Sequence, residues 1–172
     1  MTEKKRGRGR PKGAPNKPKL DLVTERVNLT MNADVYEILC QAELVAQESE
    51  DLAVQGLQVF GSRNGAVKPV LQWAFDDNIN STLPEGKTPY NKDDAPASDL
   101  AQTSLRFEFK KFKYFVTDEI TQTKKENMWI QLLEAIPAKE AELLDLVKEG
   151  QWPFKNITKS IAQKAFTDTN FN

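Results

Sequence analysis

Apolar residues recur three and four positions apart in the first half of the chain, the spacing of helices with one buried face. Three helices are predicted there. Asn32 is the expected N-cap of the first and Ser49 of the second, which the glycine-containing stretch 61–65 ends. The third covers 66–75, with Pro69 in its first turn, where proline is tolerated. The positions expected to face inward are Val35, Ile38, Leu39, Ala42, Val45, Ala53, Leu57, Phe60, Val67, Val70, Leu71 and Ala74.

The same spacing returns in the C-terminal third, where it predicts three more helices. Pro137 separates the first from the second, Gly150 ends the second, and Thr158 caps the last. The positions expected to face inward are Trp129, Leu132, Leu133, Ile136, Leu143, Leu144, Val147, Ile161, Ala165 and Phe166.

The stretch 98–116 contains two competing patterns. With Ser98 as N-cap, one helical face would consist of Leu105, Phe109, Phe112 and Val116. Leu105, Phe107 and Phe109 also alternate with charged residues, as in a half-buried strand. A single strand has no partner to pair with, so we predict a helix. The predicted fold is all-α, a compact domain of about six short helices.

A long polar connection, residues 76–98, lies between the two helical groups and contains three prolines. Loops of this length are uncommon in compact domains unless they are functional or mobile. We interpret this loop as a connector that crosses the surface. Its acidic pairs, Asp76–Asp77 and Asp93–Asp94, are typical of solvated residues, so no metal-binding or acid–base role is expected of them.

Charge divides the chain into two parts. Residues 1–19 carry eight lysines and arginines against one glutamate, a charge of +7, whereas the remainder has sixteen basic against twenty-four acidic residues, a charge of −8. No large apolar residue occurs between Met1 and Leu20, so this segment cannot bury enough surface to order by itself. The predicted domains are a disordered basic arm, 1–20, and an α-helical body, 21–172.

Composition removes most catalytic chemistry. The chain has no histidine and one cysteine, which excludes an internal disulfide and most nucleophile–base pairs and metal sites. The stretch 61–65 lacks the Gly-Lys-Ser/Thr ending of a phosphate-binding loop. Cys40 is expected to be a small buried hydrophobe. We therefore expect no enzymatic activity, cofactor or small-molecule substrate. With neither a secretory signal nor a membrane-spanning run, we expect a cytoplasmic protein.

Aromatic and basic residues are interleaved in "RFEFKKFKYF", residues 106–115. Such interleaving is a feature of surfaces on which nucleic-acid bases stack. Aromatic residues at helical spacing are more often part of a core, with lysines on the outer face. We interpret these aromatics, together with Trp73, Trp129, Trp152 and Phe154, as core residues.

Four short motifs resemble those of a family of uncharacterised proteins from T4-like tailed phages. They are "LPEGKTPY" (83–90), "IQLLE" (130–134), "EAELLDLVK" (140–148) and "KNIT" (155–158). Their order and spacing resemble that family over residues 33–166. The resemblance implies a bacteriophage origin and an infected bacterial cell as the setting, and it assigns no activity and no site residues.

The N-terminal "RGRPK", residues 8–12, resembles the core of an AT-hook, in which Gly-Arg-Pro is flanked by basic residues. The A·T minor groove is narrow, deep and negative, so an extended peptide with long cationic side chains fits it. Gly9 would not clash with the groove floor, and Pro11 would direct the backbone along the groove wall. Arg8 and Arg10 would reach the acceptors of adenine and thymine.

The other basic residues of the arm would pair with phosphates and supply salt-dependent affinity. The predicted DNA-binding residues are Lys4, Lys5, Arg6, Arg8, Gly9, Arg10, Pro11, Lys12, Lys17 and Lys19. Gly7 and Gly13 stand where the motif commonly has proline or a basic residue, which raises the cost of ordering the arm. RNA is an alternative ligand, since Arg-Gly repeats also suit RNA, and a cationic tail without a fixed partner is another.

We predict a non-enzymatic phage accessory protein whose arm binds double-stranded, A·T-rich DNA. Because one hook binds weakly, the body is expected to supply a second contact through a protein partner or a homo-oligomer. The protein would act on transcription, genome organisation or packaging in the cytoplasm of the infected host. The alternatives are a module that binds host machinery and a virion component, with the arm giving only non-specific electrostatic affinity.

Overall fold

The computed structural model describes Leu29, residues 32–92 and residues 100–172. Within these parts of the chain every regular element is helical, and the predicted all-α class is confirmed. The predicted arm, the predicted cap Ser98 and the acidic pair at 93–94 lie outside the described residues. The α-helices are α1 (Val35–Glu48), α2 (Glu50–Arg63), α3 (Val67–Phe75), α4 (Leu105–Glu108), α5 (Phe112–Phe115), α6 (Gln122–Ala135), α7 (Ala138–Lys148) and α8 (Lys159–Ala165).

The first helix is capped by Asp34, and the prediction of Asn32 was wrong. Asp34 Oδ1 accepts a hydrogen bond from the Glu37 N–H at 2.8 Å, and Glu37 Oε2 accepts one from the Asp34 N–H at 2.9 Å. This reciprocal capping box satisfies two backbone donors at once, which a lone asparagine two residues earlier cannot do. Asn32 instead accepts a hydrogen bond from Arg106 Nη1 at 3.1 Å.

The second helix continues through part of the stretch 61–65 that was predicted to end it. It ends at Arg63, and the side chain of Asn64 bonds the Ala33 carbonyl at 3.2 Å and the Ala66 N–H at 3.1 Å. Gly61 is helical and lies against the ring of Phe166, which a Cβ at this position would meet at 2.7 Å. Gly61 therefore permits close packing of α2 on α8 instead of breaking the helix.

The remaining caps agree with the sequence predictions. Ser49 and Thr158 each accept a hydrogen bond from the backbone N–H three residues on, at 3.3 and 3.4 Å. Gly150, with φ of +70°, follows α7, and Pro69 lies in the first turn of α3. A left-handed residue after a helix turns the chain away and favours glycine.

The segment that held competing patterns is helical, as predicted, but it is divided into α4 and α5. A 3₁₀ turn, Phe109–Lys111, joins the two. The first turn begins only at Leu105, whose N–H donates to the buried carboxylate of Glu140 on α7 at 2.9 Å. This contact with a distant residue fixes where the helix starts, and sequence spacing does not reveal it.

The core lies where α1 packs on α2, α2 on α8, and α7 on both α3 and α6. Its centre is aromatic: the Trp129 ring lies 4.9 Å from that of Phe115 and 5.9 Å from that of Trp73, and Trp73 lies 5.5 Å from Phe112. These pairs meet edge to face, the arrangement that ring quadrupoles favour. Cys40 is buried, as predicted.

Candidate functional site

The predicted DNA-binding residues all lie between positions 4 and 19, outside the described residues. The structure therefore does not place them, and the AT-hook stays a prediction. The continuously described part of the body begins at Asn32, immediately before α1. Within the continuously described residues 32–92, Asn32 is therefore the residue nearest to the arm in the sequence.

A groove of about 320 Å³ lies at Asn32, and we refer to it as the junction groove. Its lining includes Asn32, Asn64, Thr103, Arg106 and Phe107, so it is formed between the start of α1 and the segment that leads into α4. The hydrogen bond from Arg106 to Asn32 spans it at 3.1 Å. We define the junction surface as this groove together with the exposed side chain of Lys110.

Phe107 is 70% exposed on this surface, so the prediction that every aromatic here belongs to the core was wrong for it. The reason is helical geometry. Leu105 is fully buried and its N–H is held by Glu140, which fixes the inward face of α4. Two residues further on, a helix has turned by about 200°, so Phe107 faces outward. Phe112 and Phe115, on α5, are buried as predicted.

The basic side chains within residues 106–115 differ in the partners that they contact. Lys111 forms an ion pair with Glu108 at 2.6 Å, and the resulting hydrogen bond lowers the pKa of Glu108. Lys113 lies over the ring of Tyr114 at 4.7 Å. Lys110 is exposed and has no ion pair within the described part of the chain. Phe107 therefore presents an aromatic ring to solvent at this groove, and Lys110, three residues further along the chain, presents a cation to solvent.

The long connection between α3 and α4 is tightly held where the structure describes it. Asp145 of α7 accepts hydrogen bonds from the Thr88 hydroxyl at 2.6 Å and the Thr88 N–H at 3.2 Å. The same hydroxyl accepts a bond from Trp129 Nε1 at 3.0 Å. Lys148 of α7 donates to the carbonyls of Pro84 and Gly86 at 3.0 and 2.7 Å. Asp145 and Lys148 therefore connect the "EAELLDLVK" motif to the "LPEGKTPY" motif.

Another buried lysine, Lys125 of α6, anchors the start of this loop. Its Nζ donates to Thr82 Oγ1 at 2.6 Å and lies 3.2 Å from a carboxylate oxygen of Asp118. Thr82 in turn donates from both its N–H and its hydroxyl to the Phe115 carbonyl, at 2.8 and 2.9 Å. The loop is therefore a fixed surface of the body over residues 82–90, rather than a loosely attached connector.

An open groove of about 410 Å³ borders the loop and is lined by Gly86, Lys87, Tyr90, Glu142, Asp145 and Glu149. Its polar groups are already engaged by neighbours. Glu142 binds Lys92 at 2.6 Å, which lowers the carboxyl pKa, and Glu149 pairs with Lys148, which lowers the Glu149 pKa. Burial raises the pKa of Tyr90 to about 12.

Two buried carboxylates that sequence analysis passed over join parts of the body. Glu43 of α1 accepts hydrogen bonds from the N–H groups of Asn156, at 2.8 Å, and Ile157, at 3.1 Å. Glu140 accepts one from the Val35 N–H, at 2.9 Å, as well as the one from Leu105. Helical spacing contains a signal for both, since each lies four residues from a buried leucine on the same helix face.

Burial raises the pKa of Glu140 to about 8, and the nearby charge of Asp34 acts in the same direction. The two backbone N–H donors oppose the shift because they stabilise the ionised form. No cluster of three or more acidic or cysteine side chains suited to a metal ion occurs in the described parts of the chain. No helix among the described residues is both long and apolar enough to cross a membrane.

Asp76 and Asp77, one of the two acidic pairs, do not act together. Asp76 is buried and accepts a hydrogen bond from the Asn78 N–H at 2.9 Å, which stabilises the turn after α3. Asp77 is exposed and lies 3.9 Å from Lys159. The side chains therefore have separate structural partners.

Comparison with known proteins finds neither a curated protein nor a solved structure that matches the chain. One protein family does match, over residues 43–153, from within α1 to the turn after α7. This range includes the loop of residues 82–90 and the helices that hold it. The chain belongs to this family, a family of unknown function designated DUF6433.

Proposed function

We propose that the protein is a non-enzymatic DNA-binding accessory protein of a bacteriophage, acting in the cytoplasm of the infected bacterium. Its basic arm lies in the minor groove of A·T-rich duplex DNA, while the helical body supplies a second contact. The phage setting rests on the resemblance of the four motifs. The DNA ligand rests on the arm, where eight basic residues accompany the "RGRPK" sequence.

One observation supports the second part of this proposal: the exposed ring of Phe107 lines the groove at Asn32, where the continuously described body begins, and the exposed Lys110 follows it by three residues in the sequence. The body as a whole is acidic and would repel DNA, so its approach must be local. At the junction surface, Lys110 is available to a phosphate that flanks the minor groove. Phe107 offers an apolar face to the sugar beside it.

Such a contact is needed because the arm by itself would bind DNA weakly. A single short cationic segment neutralises few phosphates and binds with dissociation constants of about 10⁻⁴ to 10⁻⁶ M. A second contact on the same molecule acts at high effective concentration once the arm is bound. The junction surface suits this arrangement because Asn32 is close to the arm in the sequence.

The test is a comparison of binding to fluorescent A·T-rich and G·C-rich duplexes at about 0.15 M ionic strength. We expect the full chain to prefer the A·T-rich duplex and Arg10→Ala to abolish that preference. Lys19→Ala, which removes only a phosphate contact, should weaken both complexes alike. Equal binding to both duplexes that Arg10→Ala leaves unchanged would contradict the minor-groove assignment.

The body contact is tested by Lys110→Ala. Removing one phosphate contact should weaken binding to both duplexes and lower the slope of log affinity against log salt by about one. Lys155→Ala is the matched control, since Lys155 is also exposed but lies on the turn before α8. If the two variants behave identically, the junction surface makes no specific contact with DNA.

A second candidate function is favoured by the fixed loop of residues 82–90. The loop is held to α6 by Lys125 and to α7 by Asp145 and Lys148, so a partner protein would meet a surface that needs no ordering. In this alternative the body binds host machinery or a virion protein, and the arm adds general electrostatic affinity. Binding of a host protein by a chain lacking residues 1–19, with no A·T preference in the full chain, would favour it.

A further inference from the structure

The junction groove combines a cavity with an exposed aromatic ring. Its apolar lining consists of Ala33, Ala101 and Phe107, and the ring of Phe107 is 70% exposed. Leu100, which is 64% exposed, immediately precedes Ala101 in the chain. A single exposed apolar side chain is ordinary, but one that lines a groove of about 320 Å³ indicates a surface to which an apolar segment can bind.

The chain passes this groove at Asn32, which forms part of its lining. Leu29, three residues earlier, is partly buried and packs against the core. An extended chain covers about 3.3–3.6 Å per residue, so Val23 lies at most about 22 Å from Leu29. The residues before Leu29 are therefore tethered near the groove, and such a tether gives an effective concentration on the order of millimolar.

The residues before Leu29 differ in composition from the arm. We define the strap as residues 21–28, which have the sequence "DLVTERVN". Whereas the arm has no large apolar residue between its first and last positions, the strap has three: Leu22, Val23 and Val27. It also contains two acidic residues, Asp21 and Glu25. The exposed Lys110 of the junction surface has no ion pair within the described part of the chain, so an acidic residue of the strap would complement it.

We propose that the strap packs its apolar side chains into the junction groove and against Phe107, and so covers this surface in the free protein. Three properties select this segment over an unrelated protein: its apolar residues, its acidic residues and its tether. An unrelated partner would have to displace a segment that is held at millimolar effective concentration. The contact forms without DNA and therefore goes beyond the proposed function.

If the proposed DNA-binding function also holds, the strap regulates the body contact. Phe107 cannot pack against the strap and against a sugar of the DNA at the same time. The strap therefore lowers the fraction of molecules whose junction surface is open to DNA, and the apparent affinity falls by that fraction. Binding of DNA by the body requires the strap to leave the groove.

Trypsin provides the test, because Arg26 is the one lysine or arginine between Lys19 and Arg63. The rate of cleavage after Arg26 follows the population of molecules in which the strap is undocked. We expect Phe107→Ser to raise this rate about tenfold, since the docked state loses the burial of an aromatic ring. Cleavage after Lys12, which lies in the arm, should keep its rate and serves as the internal reference.

A control variant and a reciprocal variant make this test specific. Leu52→Ser replaces an exposed leucine of α2 that does not line the groove, and it should leave the rate after Arg26 unchanged. Leu22→Ser, in the strap itself, should raise the rate as Phe107→Ser does. The double variant Leu22→Ser/Phe107→Ser should be cleaved little faster than either single variant, because both substitutions remove the same contact.

An equal rate of cleavage after Arg26 in the unmodified protein and in Phe107→Ser would overturn the proposal. Independent effects of Leu22→Ser and Phe107→Ser that multiply in the double variant would also overturn it, since the two side chains would then not share a contact. No DNA is present in these measurements. Their failure is therefore distinguishable from a failure of the proposed function, which Arg10→Ala tests separately.

Discussion

The carboxylate of Glu140 accepts a hydrogen bond from the backbone N–H of Val35, which lies 105 residues earlier in the chain. Its other oxygen accepts a bond from the Leu105 N–H. One buried side chain therefore joins the beginnings of α1 and α4 to the first turn of α7. Because water is excluded there, the charge of this group is costly, and the bonds it accepts set the relative positions of three helices.

We expect Glu140 to make the stability of the protein depend on pH near neutrality. Its folded pKa of about 8 lies above the ordinary value of 4.5, so the folded state holds an additional proton between these values. The stabilisation is complete below pH 4.5 and is lost as the pH rises to about 8. The free energy of unfolding should fall by at most about 1.4 kcal/mol per pH unit across this window, measured by denaturant titration.

The control for this prediction is Glu140→Gln, which cannot titrate and has nearly the same shape. The difference in unfolding free energy between the two proteins isolates this one group from all others that titrate. As the pH rises, the unfolding free energy of the variant should increase relative to that of the unmodified protein. A constant difference from pH 5 to pH 8 would mean that Glu140 stays ionised in the folded protein throughout.

A second prediction concerns the hydroxyl of Thr88, which links Trp129 to Asp145. Thr88→Val keeps the side-chain shape but leaves the buried indole N–H without an acceptor and removes a donor from the carboxylate. We expect the free energy of unfolding to fall by about 1–3 kcal/mol. Thr123→Val, at an exposed position of α6, should change it by less than about 0.5 kcal/mol. Equal effects would show that the Thr88 bonds contribute nothing specific.

The buried amine of Lys148 should govern the local opening of the loop. Lys148→Met retains most of the buried chain but leaves the carbonyls of Pro84 and Gly86 without their donor. Amide hydrogen exchange should therefore accelerate in a peptide covering residues 83–92, with little change in α1 or α2. Lys139→Met serves as the control, because Lys139 is exposed on the same helix and, among the described residues, forms its ion pair with Glu142. Faster exchange throughout the body would indicate global destabilisation instead.

Two glycines of α2 should respond in opposite ways to the same substitution. A Cβ at Gly56 meets no atom within 4 Å, so Gly56→Ala should stabilise the protein by about 0.5–1 kcal/mol through helix propensity. Gly61→Ala places a methyl group 2.7 Å from the Phe166 ring and should destabilise it by about 1–3 kcal/mol. Denaturant midpoints measured at low protein concentration would distinguish the two variants. Two stabilising effects would mean that Phe166 moves away without cost.

Much of this fold can be predicted from helical spacing, because burial of one helix face leaves a regular pattern in sequence. The boundaries that depend on local chemistry, such as Ser49 and Thr158, were also predictable. The cap at Asp34 was missed although its partner, Glu37, lies only three residues away. Two other errors arose where a distant residue decides. Glu140 fixes the start of α4, and Phe166 explains Gly61, although neither is near its partner in sequence.

The surface was harder to predict than the core. Phe107 and Phe109 look equivalent in a run of aromatics, but residues two apart on a helix point in different directions. Which of them faces outward depends on the orientation of α4, and that is fixed by Leu105 and Glu140. The fixed position of the loop was not predicted for a similar reason, since its polar residues bind α6 and α7 through contacts that leave no periodic signal in the sequence.

The partners of Glu43 have a consequence for the order of folding. This carboxylate belongs to the first helix, whereas its donors, Asn156 and Ile157, follow more than a hundred residues later. During synthesis the charge has no native partner until almost the entire body has been made, and an unpaired carboxylate remains in water. The native contacts of the first helix are therefore completed only after residues 156 and 157 have been synthesised.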